Sequence, residues 1–219
     1  MLRGIESAVH WTMHVVVGSA ALALVAPPAV AQATAGVRLV LATEGNEARY
    51  QVREQLAGVG FPNDAIGATS AILGALVLDA TGAVVADGSR FVVDLATLVS
   101  DRQRRDRYIK NRTLETEQYP TIEFKPTEQR GLPWPLPSNG VFDFQLVGSL
   151  TLHGTTRDAT WAVHAEATGD GFSGTATTSF TFEDFGMDRP RVAVVLSVED
   201  TIKLEYDFHL VVSSTAGGR

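Results

Sequence analysis

The densest charge in the chain lies just after residue 100. Arg102, Arg104, Arg105, Arg107, Lys110 and Arg112 fall within eleven positions of a protein whose net charge is −7. Guanidinium groups at helical spacing can hold an anionic head group or meet membrane phosphates. The same groups can instead form a solvated face paired with Asp101, Asp106, Glu115 and Glu117. A 3.6-residue period puts Arg104, Arg107 and Lys110–Asn111 on one stripe and Arg105 with Ile109 on another. Ser100 is the expected cap of that helix. Arg105 and Asp106 form a candidate ion pair tying the segment to the rest of the fold.

The other reactive residue types are sparse. His153, His164 and His209 fall on the polar faces of three different segments, none with a helical i, i+4 partner, so no metal site is expected. His153 precedes Gly154 and is expected to bond the backbone of a turn. Glu183, Asp184 and Asp188 are close in sequence, but proximity in sequence does not make an acid–base pair. The chain has no G-x-S-x-G, H-E-x-x-H or P-loop, and no cysteine to serve as nucleophile. No catalytic residues are assigned, and the chain is expected not to be an enzyme. The acidic balance argues against a nucleic-acid binder, which needs a basic face for phosphate.

The elements that position these residues are mostly strands, read from strict alternation. Glu47–Glu54 sets Ala48, Tyr50 and Val52 against Arg49, Gln51 and Arg53. Ser70–Asp79 groups Ile72, Gly74, Leu76 and Leu78. Ser89–Leu98 groups Phe91, Val93 and Leu95, and Thr121–Lys125 groups Ile122 and Phe124. Val141–His153 groups Phe142, Phe144, Leu146, Gly148, Leu150 and Leu152. Arg157–Thr168 groups Trp161, Val163, Ala165 and Ala167. Phe172–Glu183 groups Phe172, Gly174, Ala176, Phe180 and Phe182, and Thr201–Val212 groups Ile202, Leu204, Tyr206, Phe208 and Leu210. Gly58–Gly67 and the proline-rich 130–140 segment read as loops, and residues 169–171 as a hairpin turn. Arg38–Thr43 fits either a short first strand or an extended leader.

About eight long strands with one apolar and one polar face predict an all-β antiparallel sheet. Closure into an eight-stranded barrel removes the edges and encloses room for side chains or one small ligand. A two-sheet sandwich is the competing architecture. A short helical excursion, the basic segment, interrupts two of the strands.

The N-terminal 31 residues read as a signal peptide. Val15–Ala26 is an apolar run too short to span a membrane, followed by Pro27, Pro28 and the small-x-small site Ala29-Val30-Ala31. Cleavage there leaves Gln32 first. The expected organisation is a signal peptide at 1–31, a leader at 32–46, a barrel domain at 47–212 and a disordered tail at 213–219. Without cysteine there is no disulfide and no thiol-linked lipid, so the exported domain depends on its core.

Three segments carry a family likeness. RRDRYIKNRTLETEQYPTIEF contains Arg105-Asp106 and, fourteen residues on, Tyr119-Pro120-x-Ile122-x-Phe124. GSLTLHGTTR contains Gly148, Leu150, Thr151, Leu152, His153, Gly154, Thr156 and Arg157. FEDFGM contains Asp184-Phe185-Gly186. In this order they resemble the YceI-like family, over roughly residues 48–212. The opening departs from that family's usual Asp-x-x-His-Ser, with Glu44-Gly-Asn-Glu-Ala-Arg-Tyr50 in its place.

The resemblance implies an extended lipocalin-like barrel in the periplasm, or secreted, with an apolar cavity for a polyisoprenoid or quinone tail. It needs no cofactor beyond that bound lipid. The expected partners are a lipophilic small molecule, a membrane surface touched transiently, and a second copy of the chain. The ligand-binding face is expected to be Tyr50, Phe91, Val93, Ile122, Phe124, Phe142, Phe144, Leu146, Trp161, Phe180, Phe182, Leu204, Tyr206 and Phe208. Gly74, Gly148, Gly174 and Ala176 on the same face could leave room for a chain. From the residues alone the same stripe also fits a solid core. Arg104, Arg105 and Arg107 are the candidate head-group or lid residues.

Overall fold

The computed structural model describes residues 36–169 and 171–213. The signal-peptide reading of 1–31 and the tail from 214 onward lie outside the described residues.

Eleven strands form a single antiparallel sheet that closes on itself. They are β1 (Val37–Leu41), β2 (Glu47–Leu56), β3 (Asn63–Thr69), β4 (Ile72–Leu78), β5 (Arg90–Asp94), β6 (Val99–Ser100), β7 (Thr121–Arg130), β8 (Gly140–Leu152), β9 (Thr155–Thr168), β10 (Gly171–Thr181) and β11 (Val195–Ser213). The eleven reduce to eight rows because three rows are broken in the middle. β1 and β2 both lie antiparallel to β11, β1 against its end (Leu41↔Leu210) and β2 against its start (Leu56↔Val195). β4 and β3 continue that arrangement on the next row, and β5 and β6 on the row after. The result is the eight-stranded barrel, not the sandwich.

Each break has a local cause. Between β1 and β2 the chain turns at Gly45, φ +83°. Buried Asn46 staples this bend: its amide donates to the Ala42 carbonyl (2.8 Å), and its Oδ1 accepts from the His209 N–H of β11 (3.0 Å). Between β3 and β4, Thr69 Oγ1 accepts from the Ala71 N–H. Between β5 and β6, Asp94 Oδ1 accepts from the Ala96 N–H and starts the 3-10 turn Leu95–Thr97. Side-chain oxygens that satisfy nearby backbone donors let the ladder stop without orphaning them.

Alternation sorts the side chains as a soluble barrel requires. Along β8 and β9 the inward residues Leu146, Leu150, Leu152, Trp161, Val163, Ala165 and Ala167 are buried, while Asp143, Gln145, His164 and Glu166 are exposed. Charge on the outside is the inverse of a membrane-spanning barrel, whose outer band is apolar. Arg49 on the outer face of β2 pairs with Glu205 (2.7 Å) and Asp207 (2.6 Å) of β11, bridging the closing seam.

Several expectations change. The leader contains a strand: β1 closes the barrel, so the domain begins near residue 37, not 47. Ser213, placed in the tail, pairs with Arg38. The 58–67 loop is half strand, because Asn63–Gly67 pair with β2. The strand expected over 89–98 stops at Asp94. β11 begins at Val195, six residues early, through an irregular stretch with two register shifts.

The glycines on the inner face do not make room for a ligand. A Cβ on Gly174 would sit 2.0 Å from the His164 carbonyl oxygen, and one on Gly148 would sit 2.1 Å from that of Lys125. A Cβ on Gly74 would meet the Arg90 carbonyl at 2.5 Å. These positions admit the close approach of neighbouring strands. Gly174→Ala should therefore cost about 1–3 kcal/mol, the usual range for overpacking. The outward Ser173→Ala should change stability by no more than about 0.5 kcal/mol. Urea unfolding of both variants checks the contrast; equal midpoints would refute it.

Candidate functional site

The barrel encloses a cavity of about 880 Å3, within the range of small-molecule sites. All fourteen residues named from the alternation line it, together with Ala165 and Ala176. The interior is therefore not a solid core. Aromatic contacts organise the wall: Phe124 and Trp161 lie 5.7 Å apart, Phe142 and Phe172 6.0 Å, and Phe91 and Tyr206 6.4 Å.

The cavity is closed at one end and open at the other. At the closed end, the 131–139 loop folds inward and places buried Leu132 against the core. Trp134 in that loop donates from Nε1 to the Ala80 carbonyl (3.1 Å) and packs on Gly82. The Trp134 ring thus packs on the molecule's own 79–82 turn. At the other end, six lining residues are exposed: Ala57, Val59, Arg102, Arg104, Ala193 and Val194. All six belong to the connections after β2, after β6 and before β11, so these connections frame the mouth.

The basic segment lies across this mouth. It forms α1 (Gln103–Tyr108), continued by a π-helical turn at Ile109–Thr113. Ser100 is not its cap; Arg102 holds that position without a side-chain bond. Instead Asp106 reaches back, its Oδ1 accepting from the Ser100 N–H (2.9 Å) and Oγ–H (2.6 Å). Arg105 does not pair with Asp106. Its Nη2 donates to Glu54 Oε1 of β2 at 2.7 Å, and its Nη1 donates to Asp101. Lys110 donates to the Ala96 carbonyl, and Tyr108 Oη accepts from the Arg191 N–H. The segment is thus fastened to the barrel at several points.

The three candidate arginines are used differently. Arg105 is committed to Glu54 and Asp101. Arg104 is exposed and lines the mouth. Arg107 is exposed and does not line the cavity. Neither Arg104 nor Arg107 has a carboxylate within ion-pair distance among the described residues. Glu115, expected near an arginine, instead meets His153 Nε2 at 3.0 Å.

Electrostatics inside the barrel follow from burial. The Glu54 and Arg105 side chains are only 8% and 12% exposed. Burial works against the Arg105 charge, but Glu54 and Asp101 outweigh it and hold its pKa above the ordinary value. Burial also pushes both inward tyrosines, Tyr50 and Tyr206, well up, so they are neutral hydroxyls at any physiological pH. Tyr206 donates to Asn46 Oδ1 (3.3 Å). Tyr50 lies against Gly67, where a Cβ would come within 2.3 Å of its ring. Three polar atoms of residues that line the cavity are buried within the wall without a hydrogen-bond partner among the described residues: Tyr50 Oη, Thr113 Oγ1 and Trp161 Nε1. A buried unpaired donor costs roughly 1–3 kcal/mol.

The motif residues gather beside the mouth but serve the scaffold. The Tyr119 and His153 rings are 4.6 Å apart, with Gly154 against Tyr119. His153 Nδ1 faces the Phe185 carbonyl (3.3 Å) of a different connection, not its own turn. Arg157 donates to the Asp184 carbonyl (2.9 Å), and Phe185 packs on Phe180 at 4.6 Å. One knot joins the chain entering β7, the β8–β9 turn and the chain leaving β10. Among the described residues no cluster of three metal-ligating side chains occurs.

Glu54, Thr113 and the 192–195 segment were not foreseen as part of the site. Glu54 did carry a signal, since it shares the inward parity of Tyr50 and Val52 on β2.

The molecule is a closed antiparallel barrel around an apolar chamber, with a mouth framed by apolar and basic side chains. The chain belongs to the YceI-like domain family, whose model matches residues 40–210. Three solved structures share the fold. A polyisoprenoid binding domain from Saccharophagus degradans aligns with a TM-score of 0.61 at 9% identity, covering 80% of this chain and 98% of that one. BcnA of Burkholderia cenocepacia aligns with a TM-score of 0.55 at 16% identity, covering 77% and 96%. The Campylobacter jejuni YCEI protein aligns with a TM-score of 0.52 at 13% identity, covering 73% and 91%. No curated protein matches the chain in sequence.

Removing one member of a buried ion pair strands the other. Arg105→Met should destabilise the fold by about 3–5 kcal/mol. The double variant Arg105→Met/Glu54→Leu should recover most of that loss, and Arg104→Met should cost no more than about 0.5 kcal/mol. Denaturant midpoints for the three variants test this. A double variant no better than Arg105→Met would show that the pair is not an isolated unit.

Proposed function

We propose that this protein is an exported carrier that takes one long apolar chain, such as a polyisoprenoid, into its barrel and shields it from water. The observation that carries this is the aromatic-lined cavity of about 880 Å3 with a single framed mouth. Burial of each CH2 is worth roughly 0.8 kcal/mol, so one five-carbon isoprene unit contributes roughly 4 kcal/mol before the costs of association. The polyisoprenoid-binding character of the Saccharophagus domain supports the same reading. Export is supported by the apolar run at Val15–Ala26 and the Ala-x-Ala site that follows.

The lining favours a neutral head group over a diphosphate. The buried cation, Arg105, is already balanced by two carboxylates and has little charge left for an anion. Arg104, at the mouth, is the better placed of the candidate head-group residues to meet a charged end. An enzyme acting on the head group would need free acid–base groups there; the buried carboxylate at the mouth, Glu54, is engaged by Arg105.

Purified protein incubated with a long-chain polyprenol or quinone should co-elute with about one equivalent on gel filtration. Ala176→Phe, which fills the cavity from β10, should lower uptake at least about tenfold while the chain stays folded. Wild-type protein that excludes every polyprenol and quinone offered would overturn the proposal, as would undiminished uptake by a folded Ala176→Phe variant.

A further inference from the structure

The mouth has a feature that enclosing a lipid does not require. Phe61, in the connection between β2 and β3, is 81% exposed, more than any other large apolar residue among the described ones. Val59 in the same connection and Val194 before β11 are also exposed, and both line the mouth. The two segments lie side by side: Ala57 N–H donates to the Val194 carbonyl at 2.9 Å. Segment 190–194 meets α1 where Arg191 N–H donates to Tyr108 Oη. One rim therefore presents apolar side chains next to α1.

That rim is basic, although the protein is acidic. Residues 101–112 hold six cations against two carboxylates. Both carboxylates are engaged, Asp101 by Arg102 and Arg105, and Asp106 by Ser100. Arg104, Arg107 and Arg191 are exposed, and the connection before β11 also carries the exposed carboxylates Glu183, Asp184 and Asp188. Exposed apolar side chains flanked by arginines are the chemistry of a surface that sits at a bilayer interface. The charge suits anionic lipid, and the apolar chamber opens through the same rim.

We propose that this rim docks on an anionic bilayer surface. Phe61, Val59 and Val194 enter the head-group layer, and Arg104 and Arg107 meet lipid phosphates. The inference rests on the carrier reading for its purpose but not for its evidence. A chamber facing the bilayer would let an apolar chain pass between membrane and barrel without crossing water.

Co-sedimentation of the full chain with vesicles of phosphatidylcholine, with and without phosphatidylglycerol, tests the docking. Binding should be tighter with the anionic lipid. Each arginine near the surface is worth about fivefold, so Arg104→Gln/Arg107→Gln should lower that binding about 25-fold. Phe61→Ser should lower it about tenfold, whereas Leu73→Ser, on the barrel wall, should not change it. Tryptophan placed at 61 should be quenched by brominated lipid, and tryptophan at 73 should not. Phe61 does not line the cavity, so Phe61→Ser should still take up polyprenol.

An unquenched tryptophan at 61, or partitioning unchanged by both the Phe61 and the arginine variants, overturns the docking surface whatever the uptake result. Quenching at 61 by a protein that takes up no polyprenol or quinone sustains the surface and overturns the carrier reading.

Discussion

Everything in this molecule depends on β11 bonding at both edges. One edge runs along β10 from Thr201 to Val211. The other is divided between β1 and β2. That division closes the sheet, and the short β6, paired only with β3, is the edge that remains. Closure also creates an inside, and alternation then sends apolar residues into it and charges out. A chain without cysteine has no other cross-link, so this seam carries the fold. Asn46 and Arg49 sit on it for physical reasons: one satisfies the backbone where the row breaks, and the other bridges carboxylates across the join.

A closed apolar barrel would fill with its own side chains unless something kept it open. Here the aromatic rings meet along the wall at tilted or T-shaped angles, and most of the small residues that face the cavity are alanines. The inner glycines let strands coil closely and do not widen the chamber. The plug is local at one end, where Trp134 is held by the 79–82 turn and Leu132 by Gln129. At the other end the cover is α1, tied down through Glu54, Ser100, Ala96 and Arg191. The motif residues that mark the family meet beside that cover. They fix the connections that frame the mouth.

Much of this was legible in the sequence where a segment's own residues decide its fate. Period-two alternation identified the inward faces of β7 to β11, and so the cavity wall. β3 was missed because Pro62, Asn63, Asp64 and Gly67 read as a loop; its strand is imposed by pairing with β2. The start of β11 was missed because Ser197, Glu199 and Asp200 interrupt the alternation where the strand bulges. The basic segment was located correctly, but its partners were not. Arg105 bonds Glu54, 51 residues away, and only the inward parity of Glu54 hinted at that. The glycines were assigned to ligand space because sequence cannot show how near the next strand's backbone lies.

The central claim is that the chamber exists to hold one apolar chain. Native mass spectrometry of protein purified gently from the cells that make it addresses this most directly. The account predicts a folded protein carrying a single additional mass, released by organic solvent and identified as a long isoprenoid-type lipid. A folded protein whose mass is that of the bare chain, and which remains bare after exposure to its own membrane lipids, would contradict it.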